Sequence, residues 1–327
     1  MKPHLKPEAK NTVSTSTAND NSQIHALSAV ALDDKFIQAD GTIFLTGIQA
    51  LVRLLMMQRH SDRLAGHNTA GFVSGYRGSP LGGLDFTLWN ARRHLDAADV
   101  RFEPGLNEDM AATAVWGTQQ TDVFGGAKVD GVFGMWYGKN PGLDRTGDVL
   151  KHVNMNGTSR LGGVLAVSGD DPGATSSSIP NQSEHAFISA MSPVLYPSDV
   201  GEIIEMGLFG YAASRYSGLW MGFKTVADTL ETTSTLTVSD TPTPILMPGD
   251  FEMPPEGVEA RWPDDRHAQD YRLQNIKIPA VLAFARANKI DRMVVDPPKK
   301  RFGIAAAGKA YLDVRQALES LGINDRL

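Results

Sequence analysis

The sequence predicts an α/β protein built on a parallel sheet covered on both faces by helices, and three observations predict it. Short, nearly continuous apolar runs recur through the middle of the chain, helical stretches separate most of them, and glycine-rich turns follow several of them. With 327 residues, 42% apolar and 21% charged, the chain can bury a sizeable core, and its length suggests about two domains.

Residues 1–35 carry too few large apolar groups to offset the entropy of ordering and read as a mobile tail. The first domain covers residues 36–231. From Thr46 onward, Ile48, Leu51, Val52 and Leu55 share one face of an amphipathic helix. Strands are expected at residues 71–74, 100–102, 131–136, 163–167, 193–196 and 219–223, with a helix through residues 84–89. Residues 232–267, rich in Thr, Pro and Glu and without a sustained period, read as a surface linker. A second domain, residues 268–327, holds a helix at 278–286, a strand at 301–306 and a helix at 311–321. A parallel strand needs neighbours for its backbone groups, so this second domain looks cut short.

The net charge of −6 and the absence of a Lys/Arg block argue against a nucleic-acid partner, because phosphate binding draws on clustered positive charge. Without cysteine the chain can supply no thiolate to an iron–sulfur cluster or a structural zinc. The first 35 residues contain no apolar core of a signal peptide, and no apolar run of about 18 residues follows, so a cytoplasmic protein that does not enter the membrane is expected.

Two turns could hold a ligand. In residues 73–83, Gly75, Gly78, Gly82, Gly83 and Pro80 lie between a strand and a helix, at the carboxyl edge of the expected sheet. Backbone N–H groups and the Ser79 hydroxyl could meet an anion there, with Arg77 adding charge; a tight turn with a solvated Arg77 is the plainer reading. In the second turn, Asp170 and Asp171 precede Pro172, and with His152 and His185 they resemble a metal cluster. Paired Asp before Pro is more often a turn device, and the His spacing matches no ligand signature, so no metal site is assigned. A hydrolase built on Asp170 and Asp171 is the weakest reading. The segment 303–310 nearly matches GxxxxGK[ST], but Ala310 has no hydroxyl for Mg²⁺ and residues 304–307 read as buried strand.

Glu108 is the lead candidate for chemistry, where a strand hands over to an Ala-rich helix. A carboxyl in a mostly apolar pocket has its charged form disfavoured and suits proton exchange near neutral pH. The competing reading has Asn107 capping the helix while Glu108 and Asp109 favour its positive end. Likewise, residues 144–152 can be a helix start capped by Thr146, with Lys151 solvated.

The turn at Gly75-Tyr76-Arg77-Gly78-Ser79-Pro80, the Asn107-Glu108 helix start, the run Trp136-Tyr137-Gly138-Lys139-Asn140-Pro141-Gly142-Leu143-Asp144-Arg145, Lys151-His152, Gly169-Asp170-Asp171-Pro172 and Ser183-Glu184-His185 together resemble the thiamine-diphosphate-dependent 2-oxoacid:ferredoxin oxidoreductases. The likeness is greatest to the N-terminal part of the long fused indolepyruvate ferredoxin oxidoreductases, and it runs from about Thr46 to the end of the chain. It implies that the first domain is the pyrimidine-binding domain of the thiamine-diphosphate fold, a doubly wound parallel sheet, followed by the start of a transketolase-C-like α/β domain. It implies further that Glu108 contacts the aminopyrimidine ring and promotes its imino tautomer, that Ser79, Gly78 and, less securely by motif, Arg77 lie near the substrate carboxylate, and that Lys151, His152, Asp170 and Asp171 line the cofactor edge. Relatives with two subunits usually carry Pro where this chain has Arg77.

The same resemblance implies thiamine diphosphate with Mg²⁺ as cofactor, and ferredoxin, coenzyme A and iron–sulfur clusters in the full assembly. The diphosphate-gripping GDG sequence is absent from the chain. The expectation is therefore a portion of a larger enzyme, inactive alone, completed by a diphosphate-binding domain in another segment or subunit and assembled as a homodimer. The alternative is a non-catalytic interaction module that keeps the α/β scaffold.

Overall fold

The computed structural model describes residues 30–174, 178–241 and 243–323. The expected tail up to residue 29, and Thr175, Ser176 and Ser177 of the second turn, lie outside the described residues.

Thr46 starts the first long helix with a capping box: the Gln49 N–H donates to its hydroxyl at 3.1 Å, and the Thr46 N–H donates to the Gln49 side chain at 3.0 Å. That helix, α1 (Gly47–Leu64), follows strand β1 (Gly41–Thr46) and leads to β2 (Thr69–Gly75). Next come α2 (Leu84–Asn90), α3 (Arg92–Ala97), β3 (Val100–Phe102), α4 (Glu108–Thr118), β4 (Gly131–Lys139), α5 (Asn140–Arg145), α6 (Gly147–Asn156) and β5 (Val164–Asp170). The remaining elements are α7 (Glu184–Ser189), β6 (Val194–Leu195), α8 (Val200–Ser217), β7 (Met221–Val226), α9 (Ala227–Leu230), β8 (Thr233–Val238), α10 (Arg266–Arg272), a π-helical turn (Leu273–Lys277), α11 (Ile278–Ala287) and α12 (Lys309–Ser320).

Six strands form a parallel sheet in the order β3-β2-β4-β5-β7-β6. Each falls on one of the apolar runs expected as strands, because a parallel strand covered on both faces must be apolar on both. The period of two divides the strand residues between two cores. Phe133, Met135, Tyr137, Leu165 and Val167 join α1 and α8 in one, while Trp136, Val164 and Ala166 join α4, α5, α6 and α7 in the other. The sheet is therefore doubly wound, as the sequence leads one to expect. Leu51, Leu54 and Leu55 of α1 are wholly buried, each contributing roughly 1.5–3 kcal/mol of transfer free energy.

The chain runs from β2 to β3 on one side and then returns to place β4 on the other, so the strand order reverses between β2 and β4. In open α/β sheets the crevice at the carboxyl ends beside such a reversal is where ligands bind.

Two expectations need correction. Residues 232–267 are not one linker, since β8 lies within them and pairs antiparallel with β1, Gly41 opposite Val238 through Thr46 opposite Thr233. Its sequence, Thr-Ser-Thr-Leu-Thr-Val, buries only Val238 and half-buries Leu236, so the half-exposed, Thr-rich pattern hides a strand of good β-branched propensity. Residues 301–306 form no strand; they are exposed and, among the described residues, have no neighbouring strand to pair their backbone. By its internal contacts Lys35–Leu327 clusters as one compact unit. α11 packs on α8 through Phe284, whose ring lies 5.3 Å from Phe209 and stacks at 5.1 Å on Tyr216. Among the described residues no helix is long and apolar enough to cross a membrane.

Candidate functional site

The carboxyl edge of the sheet gathers most of the candidate residues. Backbone hydrogen bonds lead the β3–α4 connection along the end of β2: the Glu103 N–H donates to the Val73 carbonyl at 3.0 Å, and the Gly105 N–H to that of Gly75 at 2.9 Å. The helix start that follows is thereby delivered to the point of strand reversal. Asn107 caps α4, its side-chain oxygen accepting the Met110 N–H at 2.9 Å.

Glu108, the first residue of α4, is only 9% exposed. Its backbone carbonyl accepts the Trp136 indole N–H at 3.1 Å, which ties the helix start to β4. Its side chain reaches over the end of β4 into space left by two glycines. A Cβ on Gly142 would stand 2.5 Å from Glu108 Cγ and 2.6 Å from Oε1, and one on Gly138 would stand 3.5 Å from Cγ. Among the described residues no donor meets the Glu108 carboxylate. The neighbouring Asp109, by contrast, is engaged, accepting from Arg145 Nε at 2.9 Å.

The first glycine turn crosses the ends of β4 and β5. Tyr76 N–H donates to the Tyr137 carbonyl at 3.0 Å. Gly78 lies against Lys139, the Ser79–Pro80 peptide is cis, and Pro80 and Leu81 lie where a side chain on Gly169 would go, 2.8 and 3.0 Å from its Cβ position. Arg77 is exposed, while Gly78 and Ser79 are half-buried.

The second turn begins inside the sheet. Ser168, Gly169 and Asp170 belong to β5, and Asp170 is wholly buried. Its Oδ2 accepts the Ser183 N–H at 2.8 Å and hydroxyl at 3.1 Å and lies 3.3 Å from Lys224 Nζ, while Oδ1 is buried without a partner. Burial pushes the Asp170 carboxyl above its ordinary value, with the Ser183 N–H and Lys224 opposing. Lys224 also donates to Glu184 and lies 4.7 Å from the Tyr196 ring centroid. Burial disfavours the Lys224 ammonium, yet Glu184 and Asp170 hold its pKa above the usual value. The Asp171 N–H donates to Asn181 at 3.3 Å.

Lys151 and His152 stand apart from this cluster. Both are exposed on α6, and neither bonds to Asp170. A His152 ring N–H donates to the Asp148 carbonyl at 2.9 Å. Thr146 does not cap α6 through its side chain; its hydroxyl donates back to Gly142 at 2.8 Å. Among the described residues no group of three His, Cys, Asp or Glu could hold a metal ion, so Asp170, Asp171, His152 and His185 are not assembled into one. Lys309 of the near-phosphate motif is exposed and paired with Asp313 at 2.7 Å, and residues 304–307 are exposed rather than buried.

Residue-type reasoning missed Asn140 and Lys224. A lysine near the end of an apolar strand was the available signal for Lys224. Asn140, 5% exposed with its Nδ2 buried and unpartnered, gave none.

Comparison with known proteins extends this picture. Residues 291–327 match the model of the indolepyruvate ferredoxin oxidoreductase middle domain. The chain is 24% identical over 288 residues to the indolepyruvate oxidoreductase subunit IorA of Methanothermobacter thermautotrophicus and 23% identical over 283 residues to that of Methanothermobacter marburgensis. Each match covers 86% of this chain but 41% of the relative, so the chain spans about two-fifths of the length of these relatives. Its fold is similar to that of the 2-oxoglutarate:ferredoxin oxidoreductase from Magnetococcus marinus, solved with 2-oxoglutarate, coenzyme A and succinyl-CoA bound, at a TM-score of 0.54 and 17% identity over 87% of this chain and 53% of that one. The doubly wound parallel sheet, the relatives and this structural neighbour agree in making the chain similar to proteins of the 2-oxoacid:ferredoxin oxidoreductase family.

Proposed function

We propose that this chain is the pyrimidine-binding part of a thiamine-diphosphate-dependent 2-oxoacid:ferredoxin oxidoreductase of the indolepyruvate type, inactive until a diphosphate-binding region of another segment or subunit completes the site. One observation carries the reading: Glu108 is a nine-tenths-buried carboxylate at the strand-reversal crevice, seated in space that only glycine at 142 leaves open, with no hydrogen-bond donor among the described residues. A carboxylate held at that crevice without a protein donor is placed to accept a bond from a ligand.

The residues present fit one end of the cofactor. Glu108 would hold a proton between its carboxylate and a ring nitrogen of the aminopyrimidine, and the wall of Trp136, Gly138 and Gly142 would exclude water from that contact. Gly78 and Ser79, across the ends of β4 and β5, would face the substrate carboxylate, with Arg77 at the exposed rim. Asp170 and Asp171 would shape the same edge through Ser183, Lys224 and Asn181, while the exposed positions of Lys151 and His152 suit contact with a covering domain. The Mg²⁺ and diphosphate end is assigned to a partner region, because the diphosphate-gripping GDG sequence does not occur in these 327 residues. Thiamine diphosphate, when bound, supplies the carbanion chemistry by which a 2-oxoacid loses CO₂. With no cysteine here, the iron–sulfur clusters that pass electrons to ferredoxin belong to other segments. Delivery of the acyl group to coenzyme A and assembly as a homodimer complete the proposal.

The test is calorimetric titration of thiamine diphosphate with Mg²⁺ into the chain alone and into its assembly with the diphosphate-binding region. Binding confined to the assembly is expected. An assembly that binds none would overturn the reading.

A further inference from the structure

A buried carboxamide normally spends both ends. Asn154 does so: its Nδ2 donates to the Ala190 carbonyl and the Ser192 hydroxyl, both at 2.7 Å, and its oxygen accepts the Trp220 N–H at 2.9 Å. Asn140 does not. It is 5% exposed, its Nδ2 is buried without a partner, and among the described residues no hydrogen bond reaches either end of the amide. It sits where β4 passes into α5, between Gly138 and Gly142, the two positions whose side-chain space adjoins Glu108.

We propose that Asn140 is a second contact to the cofactor's aminopyrimidine ring, an inference that rests on the thiamine-diphosphate reading above. A carboxamide presents a donor beside an acceptor. Its natural complement is an amino group beside a ring nitrogen, the pairing by which Asn and Gln read the amino and ring-nitrogen edge of adenine. Glu108 takes a ring nitrogen with an acceptor; Asn140 takes the amino-bearing edge with its donor and acceptor together. The pair then fixes the ring's orientation, with Glu108 at one ring nitrogen and Asn140 at the edge that carries the amino group.

The test uses the assembled holoenzyme with N140A and with N140D, which keeps the shape and removes the donor. Affinity is measured for thiamine diphosphate, and the unfolding midpoint is measured without cofactor. The inference expects thiamine diphosphate affinity to fall about tenfold or more in both variants, and the cofactor-free midpoint of N140A to hold or rise, since an idle buried amide is removed. Unchanged affinity in the variants, or a lowered cofactor-free midpoint with affinity intact, would overturn the role of Asn140 while leaving the cofactor reading in place. A wild-type assembly that binds no thiamine diphosphate would overturn both.

Discussion

Asp62 and Glu108 are both buried carboxylates on helices packed against the same sheet, at opposite edges and in opposite circumstances. Asp62, near the end of α1 and 3% exposed, accepts from Gln58 at 2.9 Å, from Thr69 at the start of β2 at 2.6 Å, and from both terminal nitrogens of Arg215 at 2.6 and 2.8 Å. Burial disfavours its charge, yet the bidentate Arg215 guanidinium holds the carboxyl below the ordinary carboxylate range. Glu108, at the carboxyl edge, receives no donor among the described residues. The amides repeat the contrast. Near the amino edge Gln119 bridges the Val132 carbonyl at 2.8 Å and the Gly163 N–H at 3.0 Å, while Asn140 at the carboxyl edge bonds to nothing described. A saturated buried group specifies the fold, whereas an unsatisfied one at a ligand-binding edge has bonds left to offer a ligand.

The contrast can be broken by mutation, and the largest effect is expected at the saturated edge. Asp62→Ala strands the Arg215 charge and the Thr69 hydroxyl, and should lower the unfolding free energy of the chain by about 3–5 kcal/mol in urea titration. A loss below about 1 kcal/mol would show that Asp62 is not structural. Gly142→Ala should do the reverse. The new methyl stands 2.5–2.8 Å from the Glu108 side chain and must displace it, so cofactor affinity of the assembly should fall roughly tenfold, about 1.4 kcal/mol, while the chain stays folded.

A third buried polar group sharpens the comparison through pH. Lys277 is wholly buried and donates to the Asn154 and Met155 carbonyls at 2.9 and 3.1 Å, closing the last turn of α6. Burial, reinforced by Arg272 and Arg261 and opposed by Asp264 and Glu259, lowers its pKa from 10.5 to about 7. The unfolded chain then binds a proton that the folded chain lacks between pH 7 and 10.5, so this group adds stability as pH rises through that window. The slope is at most about 1.4 kcal/mol per pH unit, and Lys277→Met should remove it. An unchanged slope in the variant would place the titration elsewhere. Smallest of all, Lys151→Ala and His152→Ala are expected to leave the chain's stability within about 0.5 kcal/mol of wild type in the same titration.

Much of the fold was legible because buried parallel strands must be apolar on both faces, which is why the runs around Val73, Val100, Met135, Val167, Leu195 and Phe223 each mark a strand of the sheet. β1 and β8 were not legible. Phe44 is exposed and Leu236 half-buried, so both strands have one wet face; β1 went unassigned and β8 fell within the expected linker. The run at 301–306 failed the other way, since apolar composition marks a strand only where a neighbour pairs it. At the site, Glu108 was legible because Asn107 and the Ala-rich turn announce a helix mouth. Asn140 and the Lys224–Asp170–Glu184 cluster were not, because whether a polar group is saturated depends on partners tens of residues away.

The central claim is that Glu108 is kept buried for the cofactor and not for the fold, and Glu108→Gln in the complete assembly tests it most directly. The expected result is an unfolding free energy within about 0.5 kcal/mol of wild type together with a loss of 2-oxoacid-dependent acceptor reduction on the order of 10²-fold or more. Full turnover in that variant would contradict the account.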